Sequence, residues 1–126
     1  MQETNVHRKL LDLKSLKPFR KGSFVAVITG TALKSRDGKP VDKVYLEIVR
    51  GKYEGFKVSS EFDNSFKGDL RFAYLCEAVG ITGELENLDD LLGRKVRIGL
   101  VPKRYQRNGR TFVRHVITRF HPVKKD

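Results

Sequence analysis

Apolar and polar residues alternate with a period of two along most of this chain, and the alternation separates five strand-like runs. The first, residues 22–34, is rich in β-branched residues and sets Phe24, Ala26 and Ile28 against Val25, Val27 and Thr29. That pattern predicts a long strand covered on both faces. Gly30 interrupts it, and a glycine inside a strand predicts a bulge that lets one strand bend around a small barrel. In residues 41–50, Val44, Leu46 and Ile48 point to a core, opposite Tyr45, Glu47 and Val49. After a glycine-bracketed turn at residues 51–55, Phe56, Val58, Ser60 and Phe62 alternate with Lys57, Ser59 and Glu61 in a third strand. Val96, Ile98 and Leu100 open the fourth, and residues 111–120 form the fifth.

Between residues 63 and 80 the period changes. Phe72, Leu75, Cys76 and Val79 fall at i, i+3, i+4 and i+7, one face of a helix that Gly80 ends. Asn87 caps a second short helix through Leu92, with Asp89 and Asp90 in its first turn and Gly93 after it. Asp37-Gly38 and Asn108-Gly109 predict type I′ turns joining strands one to two and four to five. Leu10, Leu11, Leu13 and Leu16 give residues 1–21 a short helical stripe that Pro18 stops, so this segment is an arm or a short helix. The order β-β-β-α-β-β predicts an all-β domain with one or two short helices. Specifically, it is that of a five-stranded OB-fold barrel over residues 22–122, with a helix between strands three and four and a basic tail at residues 123–126. An SH3-like barrel is the alternative, and that helix counts against it. OB-folds bind oligonucleotides on the face of strands two and three and with the loops joining strands one to two and four to five.

Length and composition narrow the possibilities further. At 126 residues and 39% hydrophobic, the chain suits one core. It has no apolar run near the ~20 residues that span a bilayer. The N-terminus lacks a signal-peptide core, and the single Cys76 has no intramolecular partner, so a soluble protein in a reducing, cytoplasmic setting is expected. Charge changes the picture most. Residues 91–125 contain eleven Lys or Arg and no Asp or Glu, whereas residues 1–90 hold 15 basic and 14 acidic groups. The net charge of +11 is therefore concentrated around the second hairpin. His7, His115 and His121 are scattered, and no phosphate-binding glycine loop is present, so neither a metal nor a cofactor is expected. Turn chemistry and a solvated strand face account for Asp37, Asp42 and Glu47, which leaves no catalytic constellation and predicts a protein that is not an enzyme.

Cations interleaved with rings suit single-stranded nucleic acid, whose phosphates need neutralising and whose bases stack on flat side chains. The candidate cations are Lys57, Arg97, Lys103, Arg104, Arg107, Arg110 and Arg114, with Arg36 and Lys39 on the opposing loop. Tyr45, Tyr53, Tyr105 and Phe112 are candidate stacking platforms, each with core packing as the competing explanation. Phe24, Phe56, Phe62, Phe72 and Phe120 are assigned to the core or its margin, and Arg94 and Arg119 to ordinary surface charge. Three functions fit: a sequence-tolerant single-stranded DNA-binding protein, an OB-type RNA-binding protein, or an adaptor docking an acidic protein partner. Composition does not separate DNA from RNA, because that choice depends on contacts to the 2′-hydroxyl.

Several stretches carry a resemblance. They are residues 22–30 (GSFVAVITG), Gly38-Lys39-Pro40, residues 47–55 (EIVRGKYEG), residues 78–81 and residues 90–96 (DLLGRKV), with Tyr105, Asn108-Gly109, Val116 and Pro122. Together, over about residues 18–122, they resemble a family of phage and prophage single-stranded DNA-binding proteins long catalogued only as a phage domain of unknown function. The resemblance implies an OB-fold, single-stranded DNA as ligand, and a role in DNA replication or recombination of a phage or mobile element in a bacterial host's cytoplasm, alongside replication or recombination proteins. One departure is the ending Val123-Lys124-Lys125-Asp126, where many single-stranded DNA-binding proteins carry an acidic tail that recruits partners.

Overall fold

Both Asx-Gly dipeptides adopt the left-handed backbone that a type I′ turn demands. Asp37 and Gly38 have φ of 51° and 75°, and Asn108 and Gly109 have 53° and 73°. In the computed structural model, which describes residues 22–123, these turns close two antiparallel hairpins. One joins β1 (Gly22–Arg36) to β2 (Lys39–Ile48), and the other joins β4 (Lys95–Arg107) to β5 (Arg110–His121). With β3 (Lys57–Phe62) they make one five-stranded antiparallel sheet in the order β3-β2-β1-β4-β5. The molecule is mostly β and OB-fold-like. The one α-helix among the described residues, α1 (Phe66–Ala78), follows β3 in the chain.

Strand β1 serves two neighbours. Its start pairs with β4, from Gly22 opposite Leu100 to Val27 opposite Lys95, while Ala26 to Arg36 pair with β2. The change of partner coincides with a bulge between Ile28 and Gly30. The bulge lies at Gly30, as the glycine inside the strand predicts, with Thr29 the extra residue; Gly30 lies under the Tyr45 ring, where a Cβ would stand 3.4 Å from Tyr45 Cδ2. Inward side chains from every strand meet in one core that includes Ala26, Ile28, Leu46, Ile48, Ile98, Leu100 and Ile117, capped by Leu75 of α1. Each larger aliphatic side chain buried there contributes about 1.5–3 kcal/mol.

Helix α1 begins six residues before the Phe72 stripe. Ser65 caps it by accepting the Gly68 N–H at 3.0 Å. Gly68 is buried against the preceding loop, and a Cβ there would lie 2.3 Å from the Asp63 carbonyl oxygen, so the close approach requires glycine. Leu75 is buried and Phe72 and Cys76 are half-buried; Val79 is the C-cap, and Gly80 leaves the helix at φ 83°. The second helix is shorter than the pattern predicts. It is a single 3-10 turn, Leu88–Leu91, whose Asn87 cap accepts the Asp89 N–H at 2.9 Å. Phe56 precedes β3 and is 37% exposed, its ring edge-on to His115 rather than in the core.

The sheet is not closed into a barrel, which corrects the expectation of one. Among the described residues no ladder joins β3 to β5. Arg71 of α1 bridges these two edges. Its guanidinium donates to the Glu61 carbonyl and the Ser60 hydroxyl on β3, at 3.2 and 2.8 Å, and to the Ile117 carbonyl on β5 at 3.3 Å. The same group lies 5.1 Å from the Phe62 ring centroid and 5.9 Å from that of Phe120. A helix-borne cation thus satisfies one backbone carbonyl on each edge. The stripe expected in residues 1–21 and the tail from residue 124 lie outside the described residues. Among the described residues no helix is long and apolar enough to cross a membrane.

Candidate nucleic-acid interface

Past Leu100 and Ile117 the β4 and β5 hairpin leaves the core and continues as a two-stranded arm. Residues directly opposite in an antiparallel ladder share a face. The register therefore puts Lys103 with Arg114, Tyr105 with Phe112, and Arg107 with Arg110 on one face of the ribbon. The Tyr105 and Phe112 rings stack at 5.4 Å between centroids and 23° between planes, and remain 45% and 39% exposed. This face is a flat aromatic pair between two pairs of cations. Arg104 belongs by register to the other face, beside Val113, yet joins Lys103, Tyr105 and Arg114 around a shallow concavity of about 190 Å³.

The outward face of β2 and β3 is built from three cross-strand pairs: Lys43 with Glu61, Tyr45 with Ser59, and Glu47 with Lys57. The Tyr45 ring rests on Gly30, with Lys43 Nζ 5.1 Å from its centroid. Arg36, near the tip of the β1 and β2 hairpin, reaches across to Glu61 and donates Nε and Nη2 to its two carboxylate oxygens, both at 2.6 Å. Lys43 Nζ stands 3.9 Å from the same carboxylate. The hydrogen bond from Arg36 holds the Glu61 carboxyl below the ordinary carboxylate range, aided by the charges of Arg36, Lys43 and Arg114. In return Glu61 raises the Arg36 pKa.

The other predicted residues divide by location. Lys39 is exposed opposite Arg36 beside the turn, and Lys57 is exposed on β3. Arg97 is half-buried on β4 between Val25 and His121, on the body of the sheet and away from the arm. Tyr53 packs edge-on against Phe24 at 5.6 Å and 79°, at the margin of the core. Arg94 is more than surface charge: it donates to the Asp90 carbonyl at 2.9 Å and the Val79 carbonyl at 3.0 Å, fastening the helix end to the 3-10 turn. Sequence reasoning missed Lys43, although its place two residues before Tyr45 on an alternating strand puts both on one face.

Another concavity lies elsewhere. It encloses about 540 Å³ between β1, β2 and residues 85–89, and its ionisable lining is Asp42, Glu86 and Asp89. Three carboxylates repel phosphate, so volume and charge disagree here and charge decides for the arm. Burial pushes the Cys76 thiol up and the His115 imidazole down from their ordinary values. Among the described residues no group of three His, Cys, Asp or Glu side chains is arranged to hold a metal ion. No protein-family model matches the chain, and no curated protein matches it.

Proposed function

We propose that this protein is an OB-fold, sequence-tolerant single-stranded DNA-binding protein that lays the strand over the β2 and β3 face and the β4 and β5 arm. The observation that carries the reading is the stacked, exposed Tyr105 and Phe112 pair set between Lys103/Arg114 and Arg107/Arg110. Stacking on such a platform contributes about 1–3 kcal/mol per base and accepts any base, because each has a π-face. The flanking cations neutralise phosphates on either side of the stacked base. No reaction is assigned to the site; it holds the strand. A place in replication or recombination of a phage or mobile element follows from the family resemblance.

A duplex hides its base faces, so single strands bind more tightly than duplex of equal length. Fluorescence titration with a mixed-sequence single strand, its RNA counterpart and the duplex tests this. Duplex binding equal to or tighter than single-strand binding contradicts the proposal. Preference for the RNA strand moves the assignment to RNA, and absence of any nucleic-acid affinity moves it to an adaptor for an acidic protein.

A further inference from the structure

Glu61 is a carboxylate set among cations on the face assigned above to the strand. Its partners come from different parts of the fold: Arg36 from the end of β1 and Lys43 from β2. Two positive groups converge on one negative group, which leaves the cluster with an excess of positive charge. Arg36 grips Glu61 through two parallel N–H bonds, at 2.6 Å each. A guanidinium fork offers the same pair of donors to two oxygens of a carboxylate or of a phosphate. The pair stands in water, with the Arg36 side chain 65% exposed and that of Glu61 28% exposed. Such pairs add little stability, so exchange of one anion for another meets little resistance. Lys43 also lies over Tyr45 and next to Glu61, which puts a cation between a ring and an anion site.

We propose that Arg36 and Lys43 form a phosphate subsite in which the Glu61 carboxylate stands in for a DNA backbone phosphate until the strand displaces it. This rests on the proposed single-strand function and deepens it. Displacement leaves the Glu61 carboxylate to collect a counterion from solution, which offsets one of the counterions the DNA releases. Glu61 therefore lowers both the affinity and its salt dependence, and holds Arg36 in its binding geometry in the absence of DNA.

The test measures the Kd of a fluorescein-labelled oligothymidylate as a function of salt for the wild type, Glu61→Gln, and the control Glu86→Gln, which removes the same charge at the acidic concavity. Glu61→Gln is expected to bind about two- to fivefold more tightly. Its log Kd against log salt should steepen by up to about 0.7, while Glu86→Gln shifts neither quantity comparably. Arg36→Ala supplies a second arm: it should cost more affinity in the Glu61→Gln background than in the wild type, because only there is Arg36 free of a competitor. A Glu61→Gln that matches Glu86→Gln in both affinity and slope, or an Arg36→Ala loss equal in both backgrounds, overturns the subsite and leaves the single-strand function standing. If neither wild type nor Glu61→Gln binds the oligomer, the single-strand function falls and the subsite with it.

Discussion

Tyr105 and Phe112 cover one ring face of each other and remain partly open to solvent, an arrangement that core packing does not require. Tyr105→Ala is expected to weaken single-strand binding by about 1–3 kcal/mol with little change in salt dependence. An exposed arm residue carries little burial, so its melting temperature should stay near that of the wild type. Binding isotherms and thermal melts of the same preparation check both. Tyr53 shows what the sequence left open. It and Tyr105 are both ring-bearing residues near glycine turns, and what separates them is Phe24, some thirty positions from Tyr53 and invisible to any local pattern. His115 makes a different prediction. Burial lowers its pKa from 6.5, so below that value the unfolded chain takes up the proton more readily than the folded one. Its contribution to stability is complete above pH 6.5 and declines as the pH falls toward the folded value. Glu61 and Asp63, with lowered carboxyl values, lose theirs only in more acid solution. Between about pH 7 and 5 the melting temperature of the wild type should fall more steeply than that of His115→Gln; parallel curves contradict this.

At the scale of elements, what was local was legible. Asp37-Gly38 and Asn108-Gly109 set their turns by backbone preference alone, and the alternation of Val44, Leu46 and Ile48 fixed which face is buried. What depended on distant partners was not. Strand β1 pairs with β4 over its first residues and with β2 over the rest, a division set by partners remote in the chain. Arg71 carried no signal in sequence, being one cation on a helix of mixed composition, yet it joins β3 to β5. Charge-assisted hydrogen bonds contribute about 1.5–3 kcal/mol each where the group left behind is buried. Arg71→Ala is accordingly expected to destabilise the domain by about 2–3 kcal/mol, with Arg71→Lys a poor substitute because an ammonium lacks the planar fork. Urea unfolding of the two variants checks this, and a loss below about 0.5 kcal/mol for Arg71→Ala means that the seam is held by packing alone.

For the molecule as a whole, charge and shape point to different places, and chemistry chooses between them. The concavity of about 540 Å³ is acidic, while the basic segment that composition singled out forms an extended arm. The concentration of charge was readable because an acid-free run is a property of sequence alone; the open seam and the position of Glu61 beside Arg36 and Lys43 were not, because separate segments assemble them. The central claim is that this cationic face neutralises the phosphates of a single strand. It is tested most directly by the affinity for an oligothymidylate between about 50 and 300 mM salt. With about five phosphates neutralised, log K should fall against log salt with a slope near −3.5, and replacing Arg107 and Arg110 together by Ala should reduce its magnitude by up to about 0.7 for each phosphate no longer neutralised. A slope near zero, or one that the double replacement leaves unchanged, contradicts the account.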